Sequence, residues 1–151
     1  MVRNGNCIRK YSNKSKIIQG IGNMTTKEAR EKISMHAGKT ENFSNGYRYA
    51  LKYGFQNLED IQHQFDEIFI CLKVLKEASY FIPFEQELFG ELSEILWGTI
   101  LYINRQAHDY RVIGVHAEVL SETLLYLLEN AENPFVAFDN YKENYDDIVV
   151  I

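Results

Sequence analysis

The chain has 151 residues and a mass of 17.6 kDa, which suits one domain with a core of its own and at most a small appendage. Its 46% hydrophobic and 25% charged residues exclude a disordered or fibrous chain. The formal charge of −5 hides a split, because residues 1–54 hold eleven Lys/Arg against three acids and residues 55–151 hold five against eighteen.

Residues 1–24 contain five basic residues, no acid, and repeated Asn, Ser and Gly without helical or strand periodicity. They read as a flexible or loosely docked basic arm. Thr25-Thr26-Lys27-Glu28 then fits a capping box, and Gly38 sits where a left-handed terminating residue belongs, so a helix is predicted near 26–37. Ser44 or Asn45 is expected to cap a shorter helix over Tyr47–Tyr53, closed by Gly54.

Asn57 opens a long helix whose stripe is Leu58, Ile61, Phe65, Ile68, Phe69, Leu72 and Leu75, spaced three or four apart. It should end before Pro83, which suits the first turn of the next helix, predicted to run to Arg105. That helix buries Leu88, Leu92, Ile95, Leu96, Thr99 and Ile103. Gly98 in its middle predicts a close approach by a neighbour. A last clear helix spans about 114–131, with Val115, Val119, Leu120, Leu124, Leu127 and Leu128 facing inward and Asn133-Pro134 breaking it. The tail 135–151 mixes aromatics with acids and ends in Ile148-Val149-Val150-Ile151, which reads as an extended segment.

The expectation is an all-α protein. It is a small bundle of about four to five helices over residues 25–151, with the basic arm at one end and the acidic-aromatic tail at the other.

No targeting or membrane segment is expected. The apolar stretch Ile95–Ile103 is about half the ~20 residues that a bilayer requires. No apolar run of signal-peptide length follows the basic N-terminus. Cys7 and Cys71 are too few for a disulfide framework, so a reducing, cytoplasmic setting is expected.

Catalytic constellations are lacking. Asp60-Ile61-Gln62-His63 has the acid-x-x-His spacing of a bundle metal site, and Glu59, His63 and Glu67 align at four-residue steps. His108 and His116 supply no second such pair, and the stripe through Ile61, Phe65 and Ile68 turns these polar residues to solvent. Cys71 falls in the apolar stripe as a packing residue. Gly20-Ile21-Gly22 does not complete a phosphate loop. No metal, cofactor or catalytic residue is assigned.

Two binding readings remain. Arg3, Arg9, Lys10, Lys14 and Lys16, with Tyr11 between them, offer phosphate contacts and one stacking ring. The acidic remainder would repel the same polyanion, so nucleic acid is the weaker alternative. The stronger feature is acidic. Glu87, Glu91 and Glu94 form one ridge, Glu118 and Glu122 repeat the pairing on the last helix, and Asp146 and Asp147 join Tyr141 and Tyr145 in the tail. Surface acids speed encounter with a cationic partner, and tyrosines are enriched at interface centres.

Small, acidic, mostly helical and poor in catalytic constellations, the chain resembles in physical type the immunity proteins of bacterial toxin systems. That resemblance implies a non-catalytic domain covering the active site of a cationic toxin such as a nuclease. Glu87, Glu91, Glu94, Glu118, Glu122, Asp146 and Asp147 would supply the charge, and Tyr141 and Tyr145 the anchors.

Overall fold

The computed structural model describes residues 23–78, 85–105 and 110–149. Among these, seven α-helices follow one another: α1 (Thr26–His36), α2 (Tyr47–Tyr53), α3 (Leu58–Glu77), α4 (Gln86–Arg105), α5 (Tyr110–Leu128), α6 (Val136–Glu143) and α7 (Tyr145–Val149). A 3-10 turn at Phe43–Asn45 precedes α2. The chain is all-helical over these residues, and none of its helices is long and apolar enough to cross a membrane. The basic arm lies outside the described residues except for Asn23 and Met24, and so does Pro83.

Local chemistry sets most helix ends. At α1 the Thr25 hydroxyl accepts from the Glu28 N–H while the Glu28 carboxylate accepts from the Thr25 N–H, the reciprocal capping box. Its other end is a Schellman motif. Gly38 takes φ +83°, the Lys39 N–H reaches the Ser34 carbonyl at 2.8 Å and the Gly38 N–H reaches Met35 at 3.0 Å. Asn57 caps α3 by accepting from the Asp60 N–H.

The cap of α2 differs from expectation. It is Gly46, not Ser44 or Asn45, and a side chain there is impossible because a Cβ would lie 2.4 Å from the Met35 carbonyl oxygen. Likewise α5 stops at Leu128, before Asn133-Pro134 can break it. Asn130 adopts φ +53°, and the Ala131 and Asn130 N–H groups bond the Tyr126 and Leu127 carbonyls in a second Schellman motif.

In the core, α1 and α4 pack together and α1 also lies on α3, while α5 packs on α4 and α6 packs on α5. Ile61, Phe65, Ile68, Phe69, Leu72 and Leu75 of α3 are fully buried, as are Leu88, Leu92 and Ile95 of α4. Burial of each such side chain contributes about 1.5–3 kcal/mol. The tail is the main correction to the sequence reading. Phe138 and Tyr141, three residues apart, share one face of α6 and are buried, and Ile148-Val149, expected to begin an extended segment, instead end α7, while residues 150–151 of that segment lie outside the described residues. Phe69 and Phe138 stack with centroids 4.2 Å apart, Lys73 pairs with Asp139 at 2.9 Å, and Lys142 pairs with Asp66 at 2.6 Å. Adding α6 and α7 raises the helix number from the expected four or five to seven.

Candidate functional site

The acidic residues singled out in the sequence divide into two groups of opposite fate. On α4, Glu91 is only 6% exposed. Its carboxylate pairs with Arg30 of α1 and accepts from the Ser34 hydroxyl at 2.9 Å. Glu94 is held by Lys39 at 3.0 Å and Arg48 at 3.1 Å. Glu87 is exposed beside a shallow cleft that Arg30, Lys39 and Glu85 also line. The ridge expected to lie bare is therefore largely neutralised by the chain's own cations, all from residues 1–54. The sequence-wide charge split is, over these helices, an internal attraction.

On α5 the opposite holds. Glu118, Ser121, Glu122, Leu125, Leu128 and Glu129 are all exposed and recur every three or four residues as one solvent-facing stripe. Leu128, expected to face the core, is 57% exposed and Leu125 is 52% exposed, while Leu124 and Leu127 point inward. Glu132 and Val136 extend the exposed surface past the helix end. Residues 112–141 contain no Lys or Arg, and none of Glu118, Glu122, Glu129 or Glu132 forms an ion pair with a described residue. Glu122 accepts from the Tyr126 hydroxyl at 2.8 Å, which fixes its position without cancelling its charge. The exposed leucines are what sequence reasoning missed. Their signal was available, because Leu125 and Leu128 stand one step outside the Leu120–Leu124–Leu127 register.

Of the tail residues, Asp146 and Asp147 are exposed and Tyr145 is half-buried. Tyr141 is only 3% exposed and cannot serve as a surface anchor. Its hydroxyl meets His116 Nε2 at 2.9 Å, and the Tyr47 hydroxyl meets His116 Nδ1 at 2.8 Å. The imidazole also stacks on Phe65 with centroids 3.8 Å apart. Comparison with protein-family models, with curated proteins and with solved structures found no match. The chemistry of the chain therefore has to be read from its own geometry.

That geometry leaves the buried polar groups structural. Burial pushes the His116 pKa down to about 3 and raises both tyrosines above their ordinary value, so the three stay neutral near pH 7. A ring that neither gains nor loses a proton at that pH is poorly suited to acid–base work. Burial likewise pushes the Cys71 thiol up to about 12, with Glu67 adding to the shift, so it holds almost no thiolate.

The expected polar face of α3 is only partly free. His63 and Glu59 lie exposed, 3.7 Å apart, but Glu67 turns inward beneath α1. The Tyr47 N–H donates to His36 Nδ1 at 3.0 Å, so Nε2 carries the ring proton and donates to Glu67, also at 3.0 Å. The hydrogen bond from His36, opposed by partial burial and reinforced by Lys32, holds the Glu67 carboxyl down at about 2. Among the described residues no group of three His, Cys, Asp or Glu side chains is placed to hold a metal ion.

Proposed function

We propose that the chain is a non-catalytic binding domain that docks a basic protein on the solvent face of α5. The observation that carries this reading is the stripe Glu118–Glu122–Leu125–Leu128–Glu129, in which uncompensated acids rim two exposed leucines. Exposed apolar surface ringed by polar residues is the usual composition of a protein-interaction site, and unpaired acids select a cationic partner. Leu125 and Leu128 take over the anchoring role that the sequence reading gave to Tyr141. Glu118 and Glu122 keep the role it gave them, Asp146, Asp147 and Tyr145 stay accessible, and Glu91 and Glu94 drop out.

The specific form we propose is the immunity type, in which the partner is a cationic bacterial toxin such as a nuclease. What supports a domain that works by covering a surface is the accessible α5 stripe itself, where Leu125 and Leu128 are 52% and 57% exposed between acids.

The test is co-expression with the product of the adjacent reading frame, followed by affinity measurement of wild type and a Glu118→Lys/Glu122→Lys/Glu129→Lys triple variant. A complex weakened by the reversal supports the reading. A complex indifferent to it, or the absence of any complex, overturns the assignment.

A further inference from the structure

The helices that compensate the α4 ridge also enclose a second feature, with the sign opposite to that of the chain as a whole. Between α2 and α4 lies a cleft of about 260 Å³ walled by Arg48, Leu51 and Lys52 on one side and Leu101, Tyr102 and Arg105 on the other. Three cations converge there in a protein whose net charge is −5. Arg48 is fixed in place, donating to the Ala37 carbonyl at 3.3 Å and to Glu94 at 3.1 Å. Lys52 and Arg105 have no carboxylate partner among the described residues. The Lys52 ammonium lies 5.2 Å from the centroid of the Tyr53 ring.

The cleft depends on Gly98. A Cβ at that position would lie 3.1 Å from Arg48 Cγ, so a larger residue would push the guanidinium stem out of line. The neighbour whose close approach Gly98 predicted is therefore the arginine of the cleft. The apolar part of the far wall, Leu101 and Tyr102, is braced, with the Tyr102 ring packed 6.0 Å from that of Phe55.

We propose that this cleft binds an organic phosphomonoester carrying a short apolar or aromatic group. Arg48 shares the Glu94 carboxylate with Lys39, whereas Lys52 and Arg105 meet no carboxylate among the described residues, and their two charges are what a phosphate dianion matches. Charged hydrogen bonds of this kind are stronger than neutral ones, and the arginine fork suits tetrahedral phosphate oxygens. Leu51, Leu101 and Tyr102 give the ester group an apolar bed. Inorganic phosphate uses only half of that surface, and a sulfate monoester supplies only one of the two charges. This site is separate from the α5 stripe and does not depend on it.

The single tryptophan, Trp97, is 56% exposed and precedes the cleft residue Gly98 in sequence, so its emission is one readout beside calorimetry. Phenyl phosphate titrated at pH 8 into the full chain should produce a saturable change in Trp97 emission, confirmed by calorimetry. Phenyl sulfate should bind at least about tenfold more weakly, as should phenyl phosphate at pH 5, below the second phosphate pKa of ~6. A Lys52→Gln/Arg105→Gln variant, which alters two exposed side chains, should melt as wild type does and lose phenyl phosphate affinity by at least about tenfold.

The proposal is overturned by any of three results. These are no saturation up to about 10 mM phenyl phosphate, equal affinity for phenyl sulfate, or a double variant that binds as before. It is equally overturned if a single-stranded oligonucleotide lacking a terminal phosphate binds the cleft and phenyl phosphate cannot displace it, since that identifies a polyanion groove.

Discussion

Two rows of glutamates, written in nearly the same spacing, behave as opposites. On α4, Glu91 and Glu94 are closed over by Arg30 of α1, Lys39 of the connection that follows it and Arg48 of α2, while Glu87 beside them stays exposed. Glu118, Glu122 and Glu129 on α5 meet no cation among the described residues, and two leucines stand between them. A row of acids is thus a surface only if nothing covers it, and what covers it comes from distant sequence. The paired row acts as a cross-link between the basic and acidic halves of the chain. The other row, unpaired among the described residues, keeps its charge against self-repulsion, a cost that the proposed binding role would turn to steering and selectivity.

The largest effect expected from this difference is on association. Reversing Glu118, Glu122 and Glu129 to Lys should weaken binding of the basic partner by about 100-fold, or ~2.7 kcal/mol, mostly through slower association and with diminished salt dependence. Neutralising Glu87 should change affinity by less than about threefold. Surface plasmon resonance at two ionic strengths measures both. Equal effects from the two rows would erase the distinction between them.

Stability should show the reverse order. Glu91→Ala removes the acceptor for Arg30 and Ser34 in a part-buried site and should cost about 2–3 kcal/mol, softened because Arg30 retains Glu85 at 3.4 Å. Glu122→Ala should fall within about 0.5 kcal/mol of wild type, with either sign. Urea melts of the two variants decide the matter.

The same contrast recurs between the two tail tyrosines. Tyr141→Phe leaves a buried His116 nitrogen without its partner and should cost about 1–2 kcal/mol. Tyr145→Phe, at a half-buried ring with no hydroxyl bond among those described, should cost less than about 0.5 kcal/mol.

Helix existence was legible in the sequence because it rests on local chemistry. The capping box at Thr25, the Asn57 cap and the stripe through Phe65, Ile68 and Leu72 each operate within a few residues. The Gly46 cap was not legible, since the reason for glycine is the Met35 carbonyl of another helix. The tail failed for a related reason. Phe138 and Tyr141 read equally well as exposed anchors or as a buried face, and only the facing rings of Phe65, Phe69 and His116 decide between these. Of the candidate site, the exposure of Glu118 and Glu122 could be read directly, since both fall outside the apolar stripe of α5. Compensation of Glu91 by Arg30 could not, because the two residues lie 61 apart in sequence and their pairing is a consequence of the fold.

The smallest expected effect tests compensation by titration. Glu67 belongs to the paired set, and His36 with Lys32 lowers its pKa from 4.5 to about 2. A depressed carboxyl pKa means that the unfolded chain takes up the proton first. The stabilisation is therefore complete above pH 4.5 and disappears as pH falls towards 2. Because Glu67 is about one-third exposed, solvent screening reduces its worth to below about 1 kcal/mol. Glu67→Gln should accordingly lower the melting temperature slightly at pH 6 and converge on wild type near pH 2. His116, whose folded form resists protonation down to about 3, contributes equally to both proteins and cancels from the difference. An exposed glutamate of α5 that meets no cation among the described residues, as in Glu118→Gln, should leave the melting temperature at pH 6 within error of wild type. If its difference curve matched that of Glu67→Gln, burial under α1 would not be what separates the two classes of acid.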